Sequence, residues 1–315
     1  MHNCFISVIA LAQPGPELVT TFIKETHLVL KANFSDYEII LVNNRIGMDL
    51  VPVLKTLDRD VLKDVTVINL SRSINQDNAI VAGLDRANGD YSVILDLYFA
   101  ANAGVIVDLY RKTQENFDIV YLRYKYRYIP FKKRIFYKLF HFIMKRYSIL
   151  EIDPKMHSNR IISRRALNAI LQYRETWRYM KGLYSCVGYN TSYIEMDIAD
   201  NRDCMEKFSA QVSSAIKAIT SFTDLSNRIL LWLISLSVVF VSIVSINALF
   251  VKYLHHDVLG NPTQDVPGWT FLVILVSLGF AFQTFILYMM SIYLTGINDE
   301  IKRRPLYIIE SFKRF

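Results

Sequence analysis

The side chains best suited to chemistry stand where apolar runs end. Asn43 and Asn44, with Arg45 behind them, close one run, and Asp96-Leu97-Tyr98 closes another. A strand-end aspartate such as Asp96 serves either as a helix cap or as a contact to a ribose. The guanidinium groups of Arg45 and Arg72 match phosphate oxygens with a planar fork of donors. One carboxylate among amides and guanidiniums suits the binding of a nucleotide-type ligand. Asp77 and Glu206 are further carboxylates, but the sequence gives them no shared geometry with Asp96. Cys4, Cys186 and Cys204 have neither metal-ligand nor redox spacing, which fits structural thiols in a reducing, cytosolic setting.

The elements that must position these groups follow from hydrophobic period. Strand-length apolar runs fall at Phe5 to Leu11, Tyr37 to Val42, Val65 to Leu70, Tyr91 to Leu97 and Phe117 to Leu122. Helix-like stretches alternate with them, at Pro16 to Lys31, Gly47 to Leu57, Gln76 to Ala87 and Ala103 to Thr113. This alternation predicts an α/β fold, a Rossmann-type parallel sheet with helices on both faces. Ligands of such sheets bind beyond the carboxyl ends of the strands, near the topological switch point. The chain opens without a basic n-region, and Phe5 to Ala12 runs into Gln13-Pro14-Gly15-Pro16, so the start reads as strand and turn rather than as a signal peptide.

Towards the C-terminus two uncharged apolar runs, Ile229 to Val251 and Trp269 to Leu294, are each long enough to cross a hydrocarbon core of about 30 Å. The link Lys252 to Gly268 makes them a transmembrane hairpin. That link carries Lys252 against Asp257 and Asp265, whereas Lys302, Arg303, Arg304, Lys313 and Arg314 follow the second run. By the positive-inside rule both termini face the cytoplasm. Two uncharged helices offer no ionisable pathway through the membrane, which counts against a transport role.

Basicity is concentrated in one place. Tyr121 to Tyr147 holds nine Lys and Arg residues and no Asp or Glu, more positive charge than the net +7 of the whole chain. From Phe131 onward Ile135, Phe136, Leu139, Phe142, Ile143 and Met144 recur at helical spacing among these charges. Such a pattern suits an amphipathic helix on an anionic membrane face, with Lys132, Lys133 and Arg134 at the interface. A solvated helix and a nucleic-acid surface are the rival readings, and the neighbouring hairpin favours the membrane over both. The chain thus divides at 1–125, 126–228, 229–296 and 297–315: α/β half, interface helices, hairpin and basic tail.

Further stretches carry a family resemblance: Tyr37 to Val42, Leu70-Ser71-Arg72, Ala79 to Asp85 followed by Gly89-Asp90, Ile219-Thr220-Ser221-Phe222, and Arg303-Arg304-Pro305-Leu306-Tyr307. In this order and spacing, and with the hairpin, they resemble the family-2 glycosyltransferases that load a sugar onto a polyprenyl phosphate, the dolichol-phosphate mannose synthase and bactoprenol glucosyltransferase type. The resemblance implies a GT-A-like cytosolic domain, interface helices, and a hairpin that forms homo-tetramers in some relatives. It also implies inverting transfer from a nucleotide-sugar to the lipid phosphate, with Mg²⁺ or Mn²⁺ on the departing diphosphate, and no nucleic-acid partner.

By the same resemblance Asn43, Asn44, Arg72 and Asp96 line the donor site. Asp96 is the catalytic-site and metal-site carboxylate, and Arg160, Arg202 and Lys207 are the acceptor-phosphate cations. Five family carboxylates are replaced here, at Asn43, Asn44, Tyr98, Ala101 and Ser158. Asp96 alone is a poor anchor for a divalent cation unless substrate oxygens and waters complete its octahedron. Two readings follow: a transferase whose donor diphosphate is held by Arg45 and Arg72, or an inactive scaffold that regulates a glycan-assembly partner.

Overall fold

The computed structural model describes residues 1–12, 16–45, 47, 49–125, 131–148, 153, 155–174, 180–196, 268–302 and 305–315, with isolated positions between 212 and 246. Two compact units divide the chain, Met1–Ala218 with Arg303–Phe315, and Ile219–Lys302.

In the first unit β1 (His2–Leu11), α1 (Pro16–Asn33), β2 (Phe34–Asn43), β3 (Val65–Leu70), α4 (Gln76–Leu84), β4 (Tyr91–Ile94), α5 (Val105–Thr113) and β5 (Ile119–Tyr124) alternate as their hydrophobic period predicts. Between β2 and β3 the expected single helix is instead two single turns, α2 (Val51–Leu54) and α3 (Arg59–Leu62). Pro52 starts the first, and Asp58 in an extended conformation separates them. Then come α6 (Phe131–Tyr147), β6 (Met156–Ser163), α7 (Arg164–Gln172), α8 (Met180–Cys186), β7 (Thr191–Met196) and, after the second unit, β8 (Ile309–Arg314).

The sheet is mixed rather than parallel, which corrects the sequence expectation. Its order is β7-β5-β6-β4-β1-β2-β3-β8. Strands β1, β2, β3 and β4 run parallel, but β6 enters antiparallel between β4 and β5, and β8 closes the far edge antiparallel to β3. Neither strand has a period that reveals it: β6 carries His157, Asn159 and Arg160 in buried positions, and β8 mixes Glu310, Lys313 and Arg314 with its apolar residues. Charge on a strand edge is a common protection against further pairing.

Both faces of the sheet are covered. Ile6, Val8, Val93 and Val120 pack with Val19, Phe22 and Ile23 of α1 and Ile106 and Leu109 of α5. On the opposite face α4 lies so close that a Cβ on Gly83 would meet Ile9 Cγ2 at 2.5 Å. The order of strand addition reverses about β1, since β2 and β3 lie on one side and β4 on the other. The switch point is therefore at the carboxyl ends of β1 and β4, where Asp96 follows β4.

Within the second unit α9 (Gly268–Ile301) is a 34-residue helix. Its stretch Leu278–Asn298, mean hydropathy 1.5, is long and apolar enough to cross a membrane. Thr284 and Thr295 donate their hydroxyls to Phe280 O and Ser291 O, both at 2.8 Å, so these polar groups are satisfied inside the helix itself. The first expected span, Ile229 to Val251, and its link fall largely outside the described residues.

At the other end of the sheet, the Gly89-Asp90 turn fixes the start of β4. Ser7 Oγ donates to Glu38 Oε1 and accepts from Gly89 N at 2.7 Å, while Asp90 Oδ2 accepts from Phe5 N at 2.9 Å. A Cβ on Gly89 would lie 2.7 Å from both Phe5 O and Ser7 N, backbone atoms that cannot step aside. Gly89→Ala is expected to destabilise the first unit by about 1–3 kcal/mol. Thermal denaturation checks this as a fall of roughly 2–4 °C per kcal/mol.

Candidate active site

Polar residues at the carboxyl edge are held chiefly by one another. Asn43 ends β2 and Asn44 follows it, at 3% and 2% exposure. Asn44 Nδ2 donates to Ile74 O at 2.8 Å and its Oδ1 accepts from Ile74 N at 2.9 Å, a two-point clamp on the loop after β3. Asn43 Nδ2 donates to Asn69 Oδ1 at 2.9 Å, and Asn43 Oδ1 accepts from Arg45 N at 3.2 Å. A carboxylate at either position would lack the donor that its partner oxygen receives.

Asp96 is half-buried and caps the 3-10 turn Leu97–Asn102, its Oδ1 accepting from Tyr98 N at 3.3 Å. The cap ends β4 at Ile94, short of the expected Leu97. From the neighbouring strand Asn159 Oδ1 accepts from Asp96 N at 3.1 Å, which ties the site aspartate to β6. Tyr98, where the family pattern has its second metal carboxylate, is exposed. Among the described residues no three His, Cys, Asp or Glu side chains gather to hold a metal ion. Asp96 is the one carboxylate of the motif, and Asn43 and Asn44 spend their amides on the protein, so these side chains do not by themselves build a divalent-cation site.

The cations divide into two groups. Arg45 and Arg72 are exposed just beyond the ends of β2 and β3. Arg160 is turned into the protein: it is 1% exposed, its Cζ lies 3.7 Å from the Tyr184 ring centroid, and Nε and Nη2 donate to Ser158 O and His157 O at 3.0 and 2.8 Å. In this position the guanidinium braces β6 and α8. Asp77 accepts from Met180 N at 3.4 Å, at the start of α8. Arg202, Glu206 and Lys207 lie outside the described residues, as do the side chains of Lys132 and Lys133.

Beside this edge Asp153 accepts from Tyr121 Oη at 3.1 Å and pairs with Arg123 Nε at 2.9 Å, and the Arg123 guanidinium stacks on Tyr193. Burial, then the Asp153 charge, pushes the Tyr121 phenol upward, so it is a fixed proton donor here. Sequence reasoning missed Asn159, Asn69 and this cluster. The only sequence signal for Asn159 is its place beside Arg160, because its role depends on β6 lying against β4.

The basic helix α6 has the range its periodicity predicts. It buries Phe140 and Met144 and leaves Ile135, Leu139 and Phe142 at 62%, 56% and 63% exposure. Arg134, Lys138, Lys145 and Arg146 are exposed as well.

Residues 20–171 match Glycosyl transferase family 2. The chain is 28% identical over 279 residues to an uncharacterized glycosyltransferase of Synechocystis sp., covering 87% of this chain and 84% of that protein. It is 26% identical over 316 residues to the bactoprenol glucosyl transferases of Shigella phages SfII and SfV, covering 98% of this chain and 98% and 99% of theirs.

The clamp makes a sharp expectation for restoring a family carboxylate. Asn44→Asp removes the donor to Ile74 O and buries a charge, at a cost of about 1–3 kcal/mol. Burial raises the introduced carboxyl's folded-state pKa, so the variant keeps more of its stability at acid pH and loses it as pH rises. Thermal melts at pH 5 and pH 8 should show the larger loss at pH 8.

Proposed function

We propose that this chain, whose residues 20–171 match glycosyl transferase family 2, moves a sugar from a nucleoside diphosphate to a polyprenyl phosphate at the cytoplasmic membrane face. The observation that carries the reading is the switch-point edge itself: Asp96, the Asn43–Asn44 clamp and the exposed Arg45 and Arg72 surround the place where an α/β sheet takes its ligand. Bactoprenol glucosyl transferases at 26% identity over 98% of the chain supply the acceptor class. An acceptor phosphate oxygen attacks the anomeric carbon, that carbon's bond to the diphosphate oxygen breaks, and the nucleoside diphosphate leaves with the electron pair. Arg45 and Arg72 hold the charge developing on the leaving group, work for which preorganised cations are suited. Arg202 and Lys207 are the acceptor-phosphate cations, and association of copies through the membrane spans follows the family pattern.

The donor side is tested by thermal shift of the detergent-solubilised full chain with uridine, guanosine, thymidine and cytidine diphosphate hexoses, each with Mn²⁺ and with EDTA. One nucleotide class should stabilise saturably, by about 2.7 kcal/mol at a hundredfold excess over its Kd, and should still do so in EDTA. A folded sample that responds to none of them overturns the reading in favour of the scaffold.

The membrane side rests on α6. Its exposed Ile135, Leu139 and Phe142 alternate with exposed cations, the composition of a helix lying in a lipid interface. Replacing Lys132, Lys133 and Arg134 together by Glu should cost roughly 1 kcal/mol or more per reversed charge in contact with anionic lipid. In nanodiscs, hydrogen exchange across 131–147 should rise and turnover should fall without loss of the folded domain. Unchanged protection with unchanged turnover would sink this assignment.

A further inference from the structure

The C-terminal strand is joined to the molecule by side chains that a simple edge strand does not need. At its approach Tyr307 Oη donates to Asp85 Oδ2 at 2.6 Å, and Arg174 grips the same carboxylate through both Nη atoms at 2.8 Å. Burial first, and then the bond to Asp85, pushes Tyr307 up to about 12, so this phenol keeps its proton at physiological pH. Next, Ser71 N donates to Ile308 O at 3.0 Å, pinning the start of the loop that leads to Ile74 and the Asn44 clamp.

Further along β8, Ser311 stands in register with Asn69, and Asn69 stands in register with Asn43. Their side chains form a continuous row. Asn69 Nδ2 donates to Ser311 Oγ at 2.8 Å, Asn43 Nδ2 donates to Asn69 Oδ1 at 2.9 Å, and Arg45 N donates to Asn43 Oδ1 at 3.2 Å. Each carboxamide in the row uses its oxygen on one neighbour and its nitrogen on the next, so the orientation of one dictates that of the other. Lys313 adds an ion pair of 3.8 Å to Asp49 in the loop beyond Arg45.

We propose that β8 is a positioning element of the donor site. Ser311 acts through Asn69 to orient the Asn43 carboxamide and so fixes the backbone from which Arg45 projects, while Tyr307 and Ile308 anchor the strand and the loop after Arg72. The proposal rests on reading Asn43, Arg45 and Arg72 as donor-side residues. It gives the segment that follows the apolar helix α9 a direct mechanical link to substrate binding.

The test compares the full-length chain with Ser311→Ala, Ser311→Thr and Glu310→Ala, the last an exposed neighbour on the same strand. Two readouts are taken: hydrogen exchange of peptides covering 43–49 without ligand, and the Kd of whichever nucleoside diphosphate hexose of the four-base panel stabilises the unmodified protein. Loss of one hydrogen bond in the row should raise exchange and weaken Kd by about tenfold in Ser311→Ala. Ser311→Thr should restore both, and Glu310→Ala should change neither. Unaltered exchange in Ser311→Ala overturns the proposal, as does raised exchange with an unchanged Kd. If the unmodified protein binds no nucleotide, the donor reading itself falls and takes the proposal with it, an outcome distinct from a difference confined to the variants.

Discussion

A carboxamide offers a donor and an acceptor on one planar group, and the carboxyl edge of this sheet depends on that property. Asn44 closes both of its bonds on the backbone of Ile74, Asn43 divides its pair between Asn69 and Arg45, and Asn159 reaches from β6 to the backbone of Asp96. These amides are nearly inaccessible to water, so an unmade bond would cost about 1–3 kcal/mol each. The loops after β2, β3 and β4, which must be fixed relative to one another for any ligand to be recognised, are tied to the sheet by these amides, and at 43 and 44 a carboxylate would lack the donor that the bond needs.

This constraint also shapes the electrostatics of the site. With amides at 43 and 44 and a phenol at 98, the edge has Asp96 as the carboxylate of its motif, and that carboxylate is already a cap. A divalent cation would have to find most of its oxygen shell in substrate and water. Exposed guanidiniums at 45 and 72 need no such shell and offer planar, charge-assisted bonds to phosphate directly. Neutral amides at 43 and 44 beside exposed guanidiniums are therefore coherent with the proposed diphosphate held by arginine.

What the sequence makes legible follows from which residues carry a period. Strands β1 to β5 are apolar runs bounded by breakers, and α6 is legible to its ends because its apolar residues recur at helical spacing among its charges. Strand β6 is not legible, because His157, Asn159 and Arg160 look like loop residues until neighbouring strands supply partners: a backbone amide for Asn159, an aromatic face and carbonyls for Arg160. Strand β8 escapes for a different reason. Its lysine and arginine resemble a solvated tail, and its pairing with β3 spans more than two hundred residues of sequence. At the site, Asp96 and the Asn43–Asn44 pair are found by position at strand ends, but their duties are set by contacts that no spacing encodes.

Helix α6 shows how a local pattern and a tertiary contact divide one element between two environments. Phe140 and Met144 are consumed by packing on the domain, which leaves Ile135, Leu139 and Phe142 exposed on successive turns. Burying three such side chains is worth roughly 1.5–3 kcal/mol each, more than the cations around them contribute individually. On the proposed lipid interface, electrostatic attraction and apolar insertion would act on the same short helix, and neither rival reading uses both. A nucleic acid would satisfy the cations and leave the apolar triplet in water, and a solvated helix would hydrate the cations and leave the triplet in water as well.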